Sequence, residues 1–550
     1  MEITKEVLAS LPLPEQVTRL AQVDAKARQD LILSARNCVD LTRALSAETL
    51  FYTLKEIGLA DAVGLLALAS PEQVRDMVDL DCWRKDCLDD RRVLTWLMLL
   101  DEAGSAKLAE WFLRADLELL VLLVKRHLEV VRKAEIEDDP LFDQVRYFTF
   151  DDQYLLRFVG EEEPILHVLL ERLRVLDYDC YKQVLEQSLF DLERNLEEEA
   201  LRWRNARLAD RGYPDYEEAR EVFRFVVPES LRLEQYRRAA PPPARFAAGE
   251  ELIPSDHALM LLTAPDSFLL RALTALPLEG LETIGQELAV LTNQIVIAEA
   301  CDPGELNEVR RCAELAHDYL NIGLAYLARG EESEAVRLLH EILLRPFFQV
   351  GVSLTLQLQQ QVRRLDAALR EEGLPEWSAY LDPPFRETCA GVQRRPPIFF
   401  RGLETPGEIL YRRFHTLADI RQVETVLTQV PLWFAVLRRW GLLPEGPAEV
   451  TLEVLWNTAF ARWLVERKAA VRPLSRAELG VLQERLRRTQ IEEESAAFLA
   501  LASAHLTLTA EEDDALRALA AHAREKLQEA LTVEAATVDL RFVEGVLVVE

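Results

Sequence analysis

Residues 67–100, ALASPEQVRDMVDLDCWRKDCLDDRRVLTWLMLL, decide how the chain is read. Two apolar runs, around 74–78 and 93–100, step by three and four residues, the period of a helix with one buried face. Between them lies the ten-residue stretch 81–90, with two cysteines, four aspartates, a tryptophan and a Lys/Arg pair. Ser70 before Pro71 is a helix-opening pair, and Asp89 or Asp90 can cap the helix that follows. The stretch 81–90 therefore reads as a turn between helices, with Trp83 covering their ends. Cys82 and Cys87 lack a second Cys or His pair, whereas a structural zinc site needs four soft ligands. They are expected as packing or free thiols, not as a metal or redox centre.

The same helical periodicity runs from about residue 12 to 134. Sliding the segment by 46 positions lays Phe51 on Leu97, Leu54 on Leu100, Leu65 on Trp111, Leu66 on Phe112, Ser70 on Asp116 and Met77 on Leu123. That period lies in the HEAT/armadillo range, where each multi-helix unit buries its apolar face on the next. Residues 1–137 are thus expected to form a helical-repeat domain. In 138–236, RYFTFDDQYLLRFVG (146–160) predicts a β-hairpin about a polar turn at 151–153. Long helices follow, ending at Gly212, and Asp215-x-x-Glu218 opens the next helix as a capping box. Residues 237–254, rich in Pro and Ala, read as a linker. Residues 255–550 predict a second α-helical domain, closed by a β-hairpin over 537–549 with a Glu-Gly turn at 544–545. The predicted fold class is mainly α, multi-domain, with two small β-hairpins.

Composition bounds the function. A chain of 550 residues implies roughly two to four domains. Its formal charge, 64 − 94 = −30, repels nucleic-acid backbone and anionic lipid taken as a whole, so no nucleic acid is expected as partner. The most apolar windows, 93–104 and 117–131, are broken by charge before they reach membrane-spanning length, so no membrane insertion is expected. MEITKEVLASLPLPEQ at the start shows no secretory signal, and seven cysteines make an odd, scattered set, not a disulfide framework. A reducing cytoplasm fits best.

Three resemblances follow from particular motifs. YLNIGLAYLARGEESEAVRLL resembles one tetratricopeptide repeat through Tyr319, Ile322, Gly323, Tyr326, Gly330, Ala335 and Leu339, which implies a helical hairpin over 317–344. ALASPEQVRDMVDLD, a capped helix ending in acidic residues, makes residues 40–130 resemble the superhelical cytosolic domain of bacterial magnesium transporters. That likeness implies magnesium as a possible ligand. The whole chain, with LFYTLKEIG, LDCW, RGYPDYEEA and the Pro-rich linker in this order, is similar to a large bacterial family left as a domain of unknown function, which implies no activity.

No phosphate loop, dinucleotide fingerprint, His-Glu-x-x-His pair or nucleophile elbow is present. Glu314-x-x-His317 is half of a di-iron motif without its second half, and Glu163 with His167 makes a helix-face pair; both read as structural or solvated. The acidic runs at 135–140, 160–164 and 195–200 lack the ordered oxygen spacing of a dedicated ion loop and read as solvated faces. No cofactor is expected. One basic stretch stands out: GVQRRPPIFFRGLETPGEILYRRFH (391–415) sets Arg394, Arg395, Arg401, Arg412 and Arg413 among Phe399, Phe400 and Tyr411. Such arginines can hold a carboxylate, a phosphate or an acidic partner segment, or can pair internally with the abundant acids. The expectation is a cytoplasmic helical scaffold or adaptor for an unknown protein partner. The alternative is a regulator responsive to a ligand or divalent cation bound between its two halves. An enzyme comes third, with no catalytic residue identified.

Overall fold

The computed structural model describes residues 5–21, 23–136, 146–160, 163–238, 266–276, 278–443, 450–486, 491–504, 506–530 and 545–549. The architecture is mainly α. Among the described residues, β-structure consists of three two-stranded antiparallel ribbons and a few isolated bridges. Contacts group the chain into two compact units, Met1–Arg224 with Leu231–Gln349, and Phe225–Ser230 with Val350–Glu550.

In the first unit, Ser70 opens the helix Pro71–Asp81 with a full capping box. Its hydroxyl accepts from the Gln73 amide, while Gln73 Oε1 accepts from the Ser70 amide at 2.8 Å. The Gln73 side-chain amide also donates to the carbonyls of Thr42 and Leu45, which pins the helix start to the end of the earlier helix Cys38–Ala44. The apolar side chains Val74, Met77, Val78 and Leu80 are all buried. The helices Ala47–Ile57 and Pro71–Asp81 end 46 residues before Asp90–Ala103 and Leu117–His127, which is the shift found in the sequence. Asp116 occupies the place of Ser70 but gives no cap; its carboxylate instead takes Arg207 at 2.7 Å.

The stretch 81–90 is a tight ribbon. Trp83–Arg84 pairs with Cys87–Leu88 around Lys85, whose φ of +59° makes the reversal. Trp83 is buried with the Arg204 guanidinium 5.7 Å from its ring centroid, and Asp89 caps the next helix by accepting from the Arg92 amide.

Tyr154–Phe158 does form a strand, and Phe148 bridges Leu156 across the turn. Its main partner, however, is Leu128–Arg132, which the helical periodicity of 117–131 had absorbed into a helix. The helix stops at His127, and Leu128 turns extended at φ −128°. The adjacent β-branched Val130 and Val131 favour the strand once a partner is at hand. The helices Pro164–Leu176, Tyr178–Phe190 and Glu193–Ala209 follow. Gly212, at φ +83°, ends the last of them as expected, and Asp215 accepts from the Glu218 amide to start the next.

The first unit continues past the expected linker, of which residues 239–254 lie outside the described residues. The helices Phe268–Thr274, Leu278–Ala298, Leu306–Leu327 and Glu332–Glu341 all belong to it. Polar contacts of long sequence range hold them there: Tyr52 to Pro303, Asn293 to Glu48, and Arg92 to Asp302. The division between units falls instead within the helix Leu344–Glu371. In the tetratricopeptide-like segment, Tyr319, Ile322 and Gly323 are buried on the first helix and Ala335 and Leu339 on the second; Gly330 turns between them at φ +78°.

The second unit packs its helices around large aromatic side chains. Trp456 stacks on Trp440 at 5.8 Å and meets Phe498 edge-on at 5.2 Å, while Trp433 contacts Phe385 at 5.1 Å. Arg462, fully buried on the helix Leu452–Glu466, donates to the Arg472 carbonyl and to the carboxylates of Glu466 and Glu478. Of the C-terminal hairpin expected over 537–549, residues 537–544 lie outside the described residues; Val548 bridges Leu474 in parallel.

Candidate functional site

The arginine-rich stretch forms the third ribbon. The helix Phe385–Gln393 ends where the Gly391 carbonyl accepts from the amides of Arg394 and Ile398, at 3.2 and 3.1 Å, so the chain folds back on the helix end. That approach needs glycine: a Cβ at position 391 would lie 2.7 Å from the Ile398 carbonyl oxygen and 3.0 Å from the Tyr411 ring. Phe399 then pairs with Arg412, and Phe400 with Tyr411. Both phenylalanines are buried, and Phe399 meets Phe414 edge-on at 5.8 Å.

Arg412 is built into this scaffold. Its guanidinium lies 4.2 Å from the Phe399 ring centroid and donates to both Asp419 oxygens, at 2.7 and 2.9 Å, and to Glu404. Asp419 also accepts from the His415 amide at 2.8 Å and forms the capping box with Thr416 that opens the helix Leu417–Arg439. Burial alone would raise the Asp419 carboxyl, but the hydrogen bonds from Arg412 and the His415 amide outweigh it and hold the group below its ordinary value. Arg401 pairs with Glu408 at 3.0 Å. Arg413 is half-buried at the strand end, its carbonyl accepting from Arg412.

Arg394 and Arg395 face outward. Arg394 is exposed, with its guanidinium 4.4 Å from the Tyr411 ring centroid, and Arg395 is exposed beside it. In the segment that joins the two strands of the ribbon, directly before Tyr411, Ile409 and Leu410 are 78% and 55% exposed. Arg413 thus stays half-buried at the strand end, and the other four arginines split, Arg401 and Arg412 serving internal pairs while Arg394 and Arg395 present planar donors to solvent. Donors of that shape suit carboxylates.

The remaining motifs have local roles. His317 Nε2 lies 2.9 Å from the hydroxyl of Ser267, the cap of the helix Phe268–Thr274. His167 packs against Phe148 and Phe150, and Glu163 precedes the first turn of the helix Pro164–Leu176. Glu197, within the acidic run 195–200, accepts from the Leu88 amide and pairs with Arg126. Among the described residues, no group of three or more His, Cys, Asp or Glu side chains is placed to hold a metal ion.

Two arrangements were beyond the sequence reading. The acidic end of the helix Pro71–Asp81, which carries the magnesium-transporter resemblance, is a row of buried ion pairs. Asp76 meets Arg211, Asp79 takes Arg207 at 2.6 Å, and Asp81 accepts from Lys55 and the Trp96 indole at 2.8 Å and from Arg92 at 3.2 Å. Burial pushes the Asp76 carboxyl up to about 6 despite Arg211. Charged residues spaced at buried helical positions were the available signal, but Arg207 and Arg211, the partners of Asp79 and Asp76, come from far along the chain. The other arrangement is Cys301 with Cys312, whose sulfurs lie 3.6 Å apart.

A family model described as a family of unknown function (DUF6178) matches residues 5–549. No curated protein and no solved structure matches the chain.

Proposed function

The chain belongs to that family of unknown function, and we propose that it works as a cytoplasmic helical scaffold whose ribbon at 399–412 docks a protein partner. The observation that supports this reading is the exposure of Arg394, whose guanidinium lies over the Tyr411 ring, and of Ile409 and Leu410, which directly precede Tyr411 in the chain. Covering an aliphatic side chain is worth roughly 1.5–3 kcal/mol when burial is complete, so a partner that shields Ile409 and Leu410 gains substantially. The two guanidiniums select carboxylates, and they do so within a chain whose formal charge is −30, which discourages acidic ligands elsewhere. The partner is therefore a protein segment that carries an apolar anchor flanked by Asp or Glu. The cytoplasmic part of the proposal is supported by the seven cysteines, all of them free, a state that a reducing compartment permits.

The test places a photo-crosslinking residue at position 409 of the full-length protein in its host cells. A discrete crosslinked partner, reduced at least several-fold by Arg394→Glu with Arg395→Glu, is the expected result. Crosslinking that is absent, or indifferent to that charge reversal, would overturn the docking role.

A further inference from the structure

Two cysteines eleven positions apart in sequence meet inside the first unit. After the helix Leu278–Ala298, Ala300 adopts φ +53° and the Cys301 amide donates back to the Val296 carbonyl at 2.9 Å. This reversal sets Cys301 against the helix Leu306–Leu327, where Cys312 lies with its Sγ 3.6 Å from Cys301 Sγ. A disulfide bond is about 2.05 Å long, so closure asks for a sulfur displacement of roughly 1.5 Å. The pair is asymmetric. Arg311 Nη2 donates to Cys301 Sγ at 3.2 Å, whereas Cys312 is 2% exposed and sits in the helix. The hydrogen bond from Cys312, with that from Arg311, draws the Cys301 thiol down to about 7, and the same sulfur contact together with burial pushes Cys312 up. Cys301 is thus the more acidic thiol of the pair, with 7% of its surface exposed.

We propose that Cys301 and Cys312 form a redox-active dithiol that closes to an internal disulfide by exchange with a small-molecule disulfide of the glutathione type. The Cys301 thiolate attacks one sulfur of that disulfide, forming a mixed disulfide and releasing one thiolate. Cys312 then gives up its proton, its sulfur attacks Cys301 Sγ, and the second small-molecule thiolate leaves. Two protein thiols are oxidised by two electrons, and one small-molecule disulfide is reduced to two thiols. The consequence is local and directional. Asp302, next in the chain, pairs with Arg92 at 3.2 Å, and the Pro303 carbonyl accepts from Tyr52 at 3.0 Å. Closure therefore pulls on the loop that ties the N-terminal helices of this unit to the helix Leu306–Leu327.

The test uses the full-length wild-type protein equilibrated with glutathione buffers of rising oxidised fraction, quenched in acid, alkylated and digested with trypsin without reduction. Arg310 and Arg311 lie between the two cysteines, so the bonded peptides are separate chains joined by one bridge. A linked Cys301–Cys312 species that rises with oxidised glutathione, while exposed Cys87 carries only glutathione, is expected. Cys312→Ser should trap glutathione on Cys301. Failure of the wild-type protein to form the linked species at a ratio that already modifies Cys87 would overturn the proposal, whatever the fate of the variant.

Discussion

The hydroxyl of Tyr52 donates to the carbonyl of Pro303 at 3.0 Å, with both groups buried, across 251 positions of sequence. Around this bond the loop 301–305 enters the N-terminal helices as a polar wedge. Asp302 accepts from the Gly304 amide at 2.8 Å and from Arg92 at 3.2 Å, and Glu305 takes the other Arg92 nitrogen at 2.7 Å. The buried part of such a wedge holds only if its polar groups are satisfied, so Asp302 and its partners are sensitive to small changes.

Gly304 is the tightest point of the wedge. A methyl group there would sit 2.6 Å from Asp81 Oδ1 and 3.0 Å from both Arg92 Nη1 and Asp302 Oδ1. Gly304→Ala should therefore displace the ion cluster and cost about 1–3 kcal/mol, the usual range for overpacking. Urea unfolding of the full-length protein, followed by tryptophan fluorescence, measures it. A midpoint equal to that of wild type would show that the loop yields without resistance.

Trp96 supplies a second check on the same cluster. Its indole N–H donates to Asp81 Oδ2 at 2.8 Å inside the core. Trp96→Phe keeps much of the packing but leaves that buried carboxylate oxygen short of a donor, at a cost of about 1–3 kcal/mol. Combining it with Gly304→Ala should give less than the sum of the single losses, because both changes act through Asp81. Strict additivity would separate the two effects.

How far these features were legible follows from where their partners lie. The helix Pro71–Asp81 and its cap were readable because Ser70, Pro71 and Gln73 are local to one another. So was the turn at 81–90, though not its pairing as a ribbon. Asp76, Asp79 and Asp81 were visible as charges on a helix. Their neutralisation depends on Arg211, Arg207 and Arg92 reaching them through tertiary packing, which periodicity does not encode. The strand Leu128–Arg132 was lost for a related reason, since its apolar residues fit a helical period as well as a β-run until Tyr154–Phe158 is placed beside them. At the candidate site, the arginine cluster was legible as composition. Which arginines turn inward was set by Asp419 and Glu404, not by the arginines' own neighbours.

Glu48 makes stability depend on pH. Its carboxylate is buried, accepts from Asn293 at 3.3 Å and from Tyr213, and is faced by Tyr52, Arg211 and Asp76. Burial raises it from 4.5 to about 7, more than Arg211 lowers it. In the folded state it therefore holds a proton that the unfolded chain releases near 4.5. That contribution is full below 4.5 and is lost as pH rises through about 7. Glu48→Gln keeps an acceptor without the charge, so it should be nearly neutral at pH ~4.5 and stabilising at pH ~8, by an amount on the order of 2–3 kcal/mol. Denaturant midpoints at both values measure the difference. An equal offset at the two pH values would assign the effect to packing alone.

The arginines of the ribbon should separate by role when each is replaced. Arg412→Met strands Asp419, whose side chain is 4% exposed, leaving it the amides of His415 and Thr416 and the Thr416 hydroxyl as donors. The expected loss is about 2–4 kcal/mol, toward the low end of breaking a buried pair because those donors remain. The penalty should shrink in acid: Asp419 is held below its ordinary value, so the stability it contributes is present above about 4 and lost as pH falls through the folded value. Arg401→Ala removes a more exposed pair with Glu408 and should cost under about 1 kcal/mol. Arg394→Glu with Arg395→Glu should leave the unfolding midpoint within about 0.5 kcal/mol of wild type, as surface changes do. If that double variant instead unfolds as readily as Arg412→Met, Arg394 and Arg395 serve the fold, and the case for them as partner contacts falls with it.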